Sequence, residues 1–326
     1  VSNTETRPAE MRCGSPAGEM PQDPAARVEV LTPRDVPLGG PRAMTVRRTL
    51  PQRNRSLIGA WCFADHYGPD DVARSGGMDV APHPHTGLQT VSWLFSGEIE
   101  HRDSLGSHAL VRPGELNLMT GGHGISHSEV STPGTTVLHG VQLWVALPGE
   151  HRDAARDFQH HAPEPVRLDG AVLRVFLGSL AGVVSPVRTF TPLLGAEIVL
   201  EPRAALTLTV DPRFEHGVLV DRGEVRAAGT PLRPAELGYV PDGRDTLTLV
   251  NGPDGTARLV LLGGPPFGEE IVMWWNFVCG SHAEVVQARA DWTTGNRFGE
   301  VQGYDGAPLP APALPPVPLK PRGRTR

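Results

Sequence analysis

The chain has 326 residues, long for a single sheet domain and comfortable for two. Apolar residues make up 39% and charged residues 20%, so it can bury a core and is not disordered overall. The net charge of -6 argues against direct nucleic-acid binding, and neither a membrane-spanning run nor a signal peptide's apolar stretch is visible, so a cytoplasmic protein is expected.

Residues 1–26 contain Pro, Glu and Ser without apolar periodicity and are expected to form a flexible arm. Beyond them, 38 glycines and 33 prolines favour short strands and tight turns over long helices. LQTVSWLF, a turn at Ser96-Gly97-Glu98, and IEHRDS read as a hairpin. Residues 110–120 and 137–147 add strands, and after a polar stretch at 149–165 strands resume with AVLRVFLG, AEIVL, ALTLTV, GVLVDRGEV, DTLTLV and RLVLLGG. WLFSGEIEHRD followed by VRPGELNLM resembles VLVDRGEVRAA followed by LRPAELGYV: each copy has a Gly-Glu turn and then an Arg-Pro-x-Glu-Leu step. This duplication predicts an all-β protein of two similar domains, 27–165 and 166–306. Ser281 and Glu284 fit a capping box, with Gly295 as a stop, and predict one short helix near the end. The tail, 307–326, is Pro-rich and ends basic, and should be extended and solvated.

The chemistry concentrates in two short motifs, His83-Pro84-His85 in APHPHTG and His127-Ser128-Glu129 in GISHSEV. In a strand, i, i+2 spacing puts both side chains of a pair on one face. Two such strands side by side bring three imidazoles and a carboxylate to one point, a donor set that borderline first-row metals prefer. A single His-x-His arises often by chance; two pairs, with eleven of the thirteen histidines between His66 and His161, favour a metal centre. Superposing the repeats places Thr209 and Asp211 on His83 and His85, and Thr248 and Val250 on His127 and Glu129, so one site is expected, in the N-terminal half.

Around it, Asp65-His66 is a candidate for orienting a ligand imidazole and His123 for a supporting donor. His101 and His108 read as strand-end or loop residues, and His139, His151, His160 and His161 as surface or edge residues. Trp93, Phe95, Leu118 and Met119 are candidates for the apolar walls, alternation sending only some of them inward. Cys13, Cys62 and Cys279 are too few and too far apart for a disulfide framework or thiolate zinc site, and Cys62 reads as packing. No GxSxG elbow, phosphate-binding loop or HExxH motif competes.

DHYGP (65–69), PHPHTGLQTVSWLFSGEIEHRDSLG (82–106), RPGELNLMTGGHGISHSE (112–129), HGVQLWVALP (139–148) and PPFGEEIVMWWNFVCGSHAEVVQARADW (265–292) resemble the pirin family. The resemblance implies two cupin domains, each a β-sandwich or jelly roll, with a short C-terminal helix. It also implies one divalent metal, generally iron(II), held by His83, His85, His127 and Glu129. By ligand type alone, copper, nickel, cobalt, manganese or zinc would also bind. Gln89 and Thr86 depart from the family pattern, where Glu and Arg are common, and both changes are expected to alter pocket charge.

What the resemblance implies for function is a quercetin (flavonol) 2,3-dioxygenase using O2, with Glu129 as the base that takes the substrate's 3-hydroxyl proton. The alternative it implies is a non-enzymatic, iron-binding, redox-sensitive regulator acting through a protein partner. In either case no nucleic acid or membrane contact is expected, and a monomer is the expected state.

Overall fold

The computed structural model describes residues 28–38, 44–295 and 297–324; the expected arm at 1–26 and Cys13 lie outside these. The first half contains β1 (Glu29–Leu31), β2 (Arg34–Leu38), β3 (Met44–Leu50), β4 (Trp61–Asp71), the short helix α1 (Val72–Ser75), β5 (Asp79–His85), β6 (Leu88–Ser96), β7 (Ile99–Asp103), β8 (His108–Val111), β9 (Leu116–Thr120), β10 (Ile125–Ser131), β11 (Val137–Ala146) and β12 (Asp157–His161). The second contains β13 (Val166–Leu168), β14 (Ala171–Leu177), β15 (Ser179–Leu180), β16 (Val183–Val184), β17 (Leu194–Leu200), β18 (Ala205–Thr209), β19 (Glu215–Arg222), β20 (Val225–Ala227), β21 (Thr230–Leu232), β22 (Leu237–Val240), β23 (Thr246–Asn251) and β24 (Ala257–Gly264). A hairpin of β25 (Val272–Trp274) and β26 (Phe277–Cys279) and the helix α2 (His282–Thr294) follow.

Each half pairs a seven-stranded sheet with a four-stranded one. The first half has orders β12-β9-β6-β11-β4-β3-β2 and β5-β10-β7-β8; the second has β1-β22-β19-β24-β17-β14-β13 and β18-β23-β20-β21. The internal repeat is therefore a repeat of topology, strand for strand. Its one exchange is β1, which leaves its own half to pair with Leu237–Tyr239 on β22, the place that β12 takes beside β9.

The two large sheets pack against each other. Strand alternation on β6 and β9 sends Val91, Trp93, Leu116 and Leu118 to that boundary, where they meet Phe176, Leu193, Leu219, Val260 and Leu262. At ~1.5–3 kcal/mol for each large apolar side chain buried, this boundary is a core and not a transient contact. Polar groups crossing it are matched: Trp93 Nε1 donates to Glu197 at 2.8 Å, and Trp61 Nε1 to the Gly263 carbonyl at 3.2 Å.

Three expectations meet the structure here. The helix is present as read, with the Ser281 hydroxyl accepting from Glu284 N and Gly295 in the left-handed conformation at its end. The hairpin across Gly97 is not: β6 pairs with β9 and β11 in the large sheet, while β7 pairs with β8 and β10 in the small one. The turn carries the chain from one layer of the sandwich to the other, and a Gly turn between apolar runs has the same local signature in both cases. The described part of the Pro-rich tail, 307–324, is extended but docked at several points, with exposed residues between them. Leu309 N donates to the Pro82 carbonyl, Ile271 and Arg322 exchange backbone hydrogen bonds, Leu319 is buried, and Arg324 pairs with the buried Glu215.

Deleting residues 309–326 should therefore lower the unfolding midpoint by roughly 5–10 °C, because Glu215 loses a cationic partner and the apolar cluster under the tail loses Leu309, Leu314 and Leu319. Scanning calorimetry of the truncated chain is the check, and an unchanged midpoint would show that the docked tail contributes nothing.

Candidate metal centre

The small sheet of the first half gathers the candidate ligands by register. β5 and β10 run antiparallel with His127 opposite His83, and Ile125 opposite His85. On its other side β10 faces β7, with His127 opposite Asp103 and Glu129 opposite His101. One face thus carries two residues from each of three adjacent strands: His83 and His85, His127 and Glu129, His101 and Asp103. A bulge in the β5–β10 ladder lies between His127 and Glu129, so Glu129 sits opposite Val80 instead of Ala81.

His83, His85 and His127 each offer a ring nitrogen, and these atoms lie within 4.8 Å of one another. His85 Nε2 and His127 Nε2 are 3.0 Å apart, and the His83 and His127 ring centres 4.3 Å apart. Glu129 is fully buried on the same face but is not part of that close group. Burial, only partly opposed by the charge of Glu129, pushes the His83 imidazole down to about 4. Burial and the neighbouring imidazoles hold His85 and His127 well below the ordinary histidine range. All three are neutral at pH 7, the form that binds metal.

The outer ring nitrogens are tied to neighbours. His83 Nδ1 donates to the Ala81 carbonyl at 2.8 Å, and the Asn276 backbone lies beside His85. His127 Nδ1 lies 3.3 Å from His101 Nδ1, and His101 Nε2 lies 3.2 Å from Asp103 Oδ2. Asn276 comes from the β25–β26 turn, in which the buried Trp275 adopts φ 53°, a left-handed conformation costly for a large side chain. Although this hairpin follows the second sandwich in the chain, it folds back over the first, with Val278 N donating to the Thr86 carbonyl.

The walls differ from those expected. Trp93 and Leu118 face the other sandwich, and Phe95 lies under the Arg258 guanidinium; of the four candidates, alternation leaves only Met119 inward. The aromatic groups at the site are Trp144, edge-on to His85 at 5.2 Å and stacked on Phe63 at 4.0 Å, and Phe158, 4.9 Å from His101. Tyr67 is fully buried, and its hydroxyl is kept protonated by burial and by the charge of Glu129.

Asp65 makes two bonds to Arg48, at 2.7 and 2.8 Å, and orients no imidazole. His123 is exposed beside Asp153 and takes no part. Gln89 donates to Thr120 on the face it shares with Val91 and Trp93, so its departure from the family pattern does not reach the site. Thr86 donates to the Gly122 carbonyl and accepts from Arg297. Burial pushes the Cys62 thiol up to about 12, in keeping with a packing role.

His139, which the sequence marks as an edge residue, is buried and forms a second cluster with His66 and Asp221. His66 Nε2 and His139 Nε2 lie 2.7 and 2.5 Å from the same Asp221 oxygen, and Arg258 Nε donates to the other at 2.7 Å. Arg258 also lies 3.5 Å from His139 Nδ1, which can only accept from a guanidinium, so the His139 proton is on Nε2 and points at Asp221. With its inner nitrogens donating and Arg47 and Arg258 nearby, this group does not suit a cation. It is an ion-paired latch between the sandwiches. The first cluster, with neutral imidazoles tied outward, a buried carboxylate beside them and no guanidinium bonded to them among the described residues, fits a first-row divalent ion.

Residues 43–145 match the pirin family, and residues 195–299 match the pirin C-terminal cupin domain. The chain belongs to the pirin family. It is 44% identical to a Pseudomonas aeruginosa protein provisionally named a quercetin 2,3-dioxygenase, over 97% of this chain and 98% of that one. It is 36% identical to a pirin-like protein of Caulobacter vibrioides, over 81% of this chain and 94% of that one. Among crystal structures, a quercetin 2,3-dioxygenase from Acinetobacter baumannii superposes with a TM-score of 0.85 at 37% identity, covering 90% of this chain and 98% of that one. Two cupin sandwiches, as the resemblance implied, are thus the pirin architecture, and the metal-compatible cluster lies in the first of them.

His101 and Asp103 are site residues that the two ligand motifs do not include. Their spacing, His101-Arg102-Asp103, is the same i, i+2 pattern as the two candidate ligand pairs, so the sequence does carry a signal for them. Asn276 carries no such signal, because it acts through its backbone.

Proposed function

We propose that this pirin is a metal-dependent dioxygenase of flavonol-type substrates. His83, His85, His127 and Glu129 hold one divalent transition ion, iron(II) being the first candidate. The observation that carries the reading is the convergence of three buried neutral imidazoles, with a buried carboxylate on the same sheet face, inside an aromatic-walled sandwich. The likeness to proteins named quercetin 2,3-dioxygenases supports it. When bound, the ion supplies a Lewis acid and a one-electron redox partner for O2 chemistry.

The chain's own residues have separate tasks. Trp144 and Phe158 present flat apolar surface to a planar aromatic substrate and keep water out. Glu129, acceptor-only when ionised, takes the proton of the substrate's 3-hydroxyl. Tyr67, which stays protonated, supplies a fixed donor on the inner side of β4.

The test is dioxygen uptake by anaerobically iron-loaded protein mixed with quercetin, against a metal-free control. Metal-dependent uptake with loss of the flavonol absorbance is expected. No uptake at verified metal occupancy would overturn the flavonol assignment.

A further inference from the structure

Resting on that ligand assignment, we propose that Asp103 and His101 are positioning residues that hold His127 in its metal-binding tautomer. The direction of each hydrogen bond follows from Asp103. Its Oδ1 accepts from Leu105 N and Ser107 N, both at 2.9 Å, and its Oδ2 faces His101 Nε2 at 3.2 Å. A carboxylate cannot donate, so His101 carries a proton on Nε2; with His127 a ligand through Nε2, its own proton is on Nδ1 and the facing His101 Nδ1 accepts it. The two Nδ1 atoms lie 3.3 Å apart. That leaves the lone pair of His127 on Nε2, the atom that meets His85 Nε2 at 3.0 Å inside the cluster.

No water is needed to complete this chain and little can reach it: His101 is 3% exposed, Asp103 2% and His127 0%. The other two ligands are held differently. His83 donates to the Ala81 carbonyl, which can only accept, and His85 lies against the Asn276 backbone. His127 alone of the three has an imidazole as its outer partner, and an imidazole can reverse polarity. Its tautomer is therefore set one residue further out, by the acceptor-only carboxylate of Asp103.

Asp103→Asn changes one heavy atom and should reverse the chain. Two backbone N–H groups still require the amide oxygen at the Oδ1 position, so the NH2 falls opposite His101 Nε2. His101 must then accept at Nε2 and carry its proton on Nδ1, facing His127. To avoid two opposed protons, His127 moves its own to Nε2, which blocks metal binding.

The experiment measures Zn2+ affinity of the full chain by competition with a chromophoric chelator, together with the Co2+ absorption spectrum and thermal unfolding of the metal-free protein. Asp103→Asn is expected to bind Zn2+ roughly 10–100-fold more weakly, with an altered Co2+ spectrum. His101→Asn, whose amide oxygen can replace Nδ1 as acceptor, should stay close to wild type, while His101→Leu should fall as far as Asp103→Asn. A merely structural role would not give that rescue, and the two His101 variants decide the matter if Asp103→Asn fails to fold. Wild-type affinity in Asp103→Asn, or His101→Asn as weak as His101→Leu, would overturn the proposal. A wild-type chain that binds no metal, or His127→Ala that binds it normally, would instead remove the ligand assignment beneath it.

Discussion

His127→Ala and Glu129→Ala should each lose most bound metal, with affinity down more than about a hundredfold, because a direct ligand matters more than the outer-shell partners whose loss costs roughly 10–100-fold. The strand content should survive. Both positions lie on β10, which is held by ladders to β5 and β7 whatever the two side chains are. The two variants should differ in the metal-free state. Removing Glu129 takes a buried carboxylate away from neutral imidazoles, whereas removing His127 opens a cavity beside His83 and His85 and takes away the partner of His101 Nδ1. Metal analysis after dialysis, with circular dichroism alongside, is the check. Wild-type occupancy in both variants would sink the ligand assignment, and with it the dioxygenase reading.

Asp221→Ala should cost about 3–5 kcal/mol, the range for breaking a buried ion pair. It leaves His66, His139 and Arg258 facing one another across the sandwich boundary without their common acceptor. The effect should depend on pH in a defined direction. Burial alone would raise the Asp221 carboxyl, but hydrogen bonds from His139 and His66 and the charge of Arg258 outweigh it and hold the group far below the ordinary carboxylate range. A carboxyl depressed in the folded state stabilises fully above its unfolded value, about 3.9, and loses that contribution as the pH falls below it. The stability gap between wild type and Asp221→Ala should accordingly be widest at neutral pH and shrink below about pH 4. Urea unfolding at pH 7 and pH 3 measures it. A variant as stable as wild type at pH 7, or a gap that widens in acid, would show that the latch contributes no net stability.

Local rules account for everything that is legible in the sequence. The period of a strand is two, so His83 with His85, and His127 with Glu129, had to share a face wherever those segments became strands. Ser281, Glu284 and Gly295 mark the ends of a helix through bonds made within four residues, and that helix is where the motif put it. The duplicated Gly-Glu and Arg-Pro-x-Glu-Leu steps pointed to two copies of one β unit, and the sheet orders repeat in that way.

Long-range pairing accounts for the rest. The Gly97 turn looks the same whether the next strand folds back beside β6 or crosses to the opposite layer; only the partners of β7, namely β8 and β10, decide. His139 and His66 read as an edge residue and an orienting group until the second sandwich brings Asp221 and Arg258 to them from beyond position 200. The tail has the composition of a solvated segment, yet Leu319 and Arg324 find a groove and a buried carboxylate that the rest of the fold builds. Composition and periodicity thus determined the strands, the repeat and the shared faces of the candidate ligands, because those follow from geometry within a few residues. Which face meets which sheet, and which buried charge meets which partner, only the tertiary structure decided, because those contacts join residues that no local spacing relates.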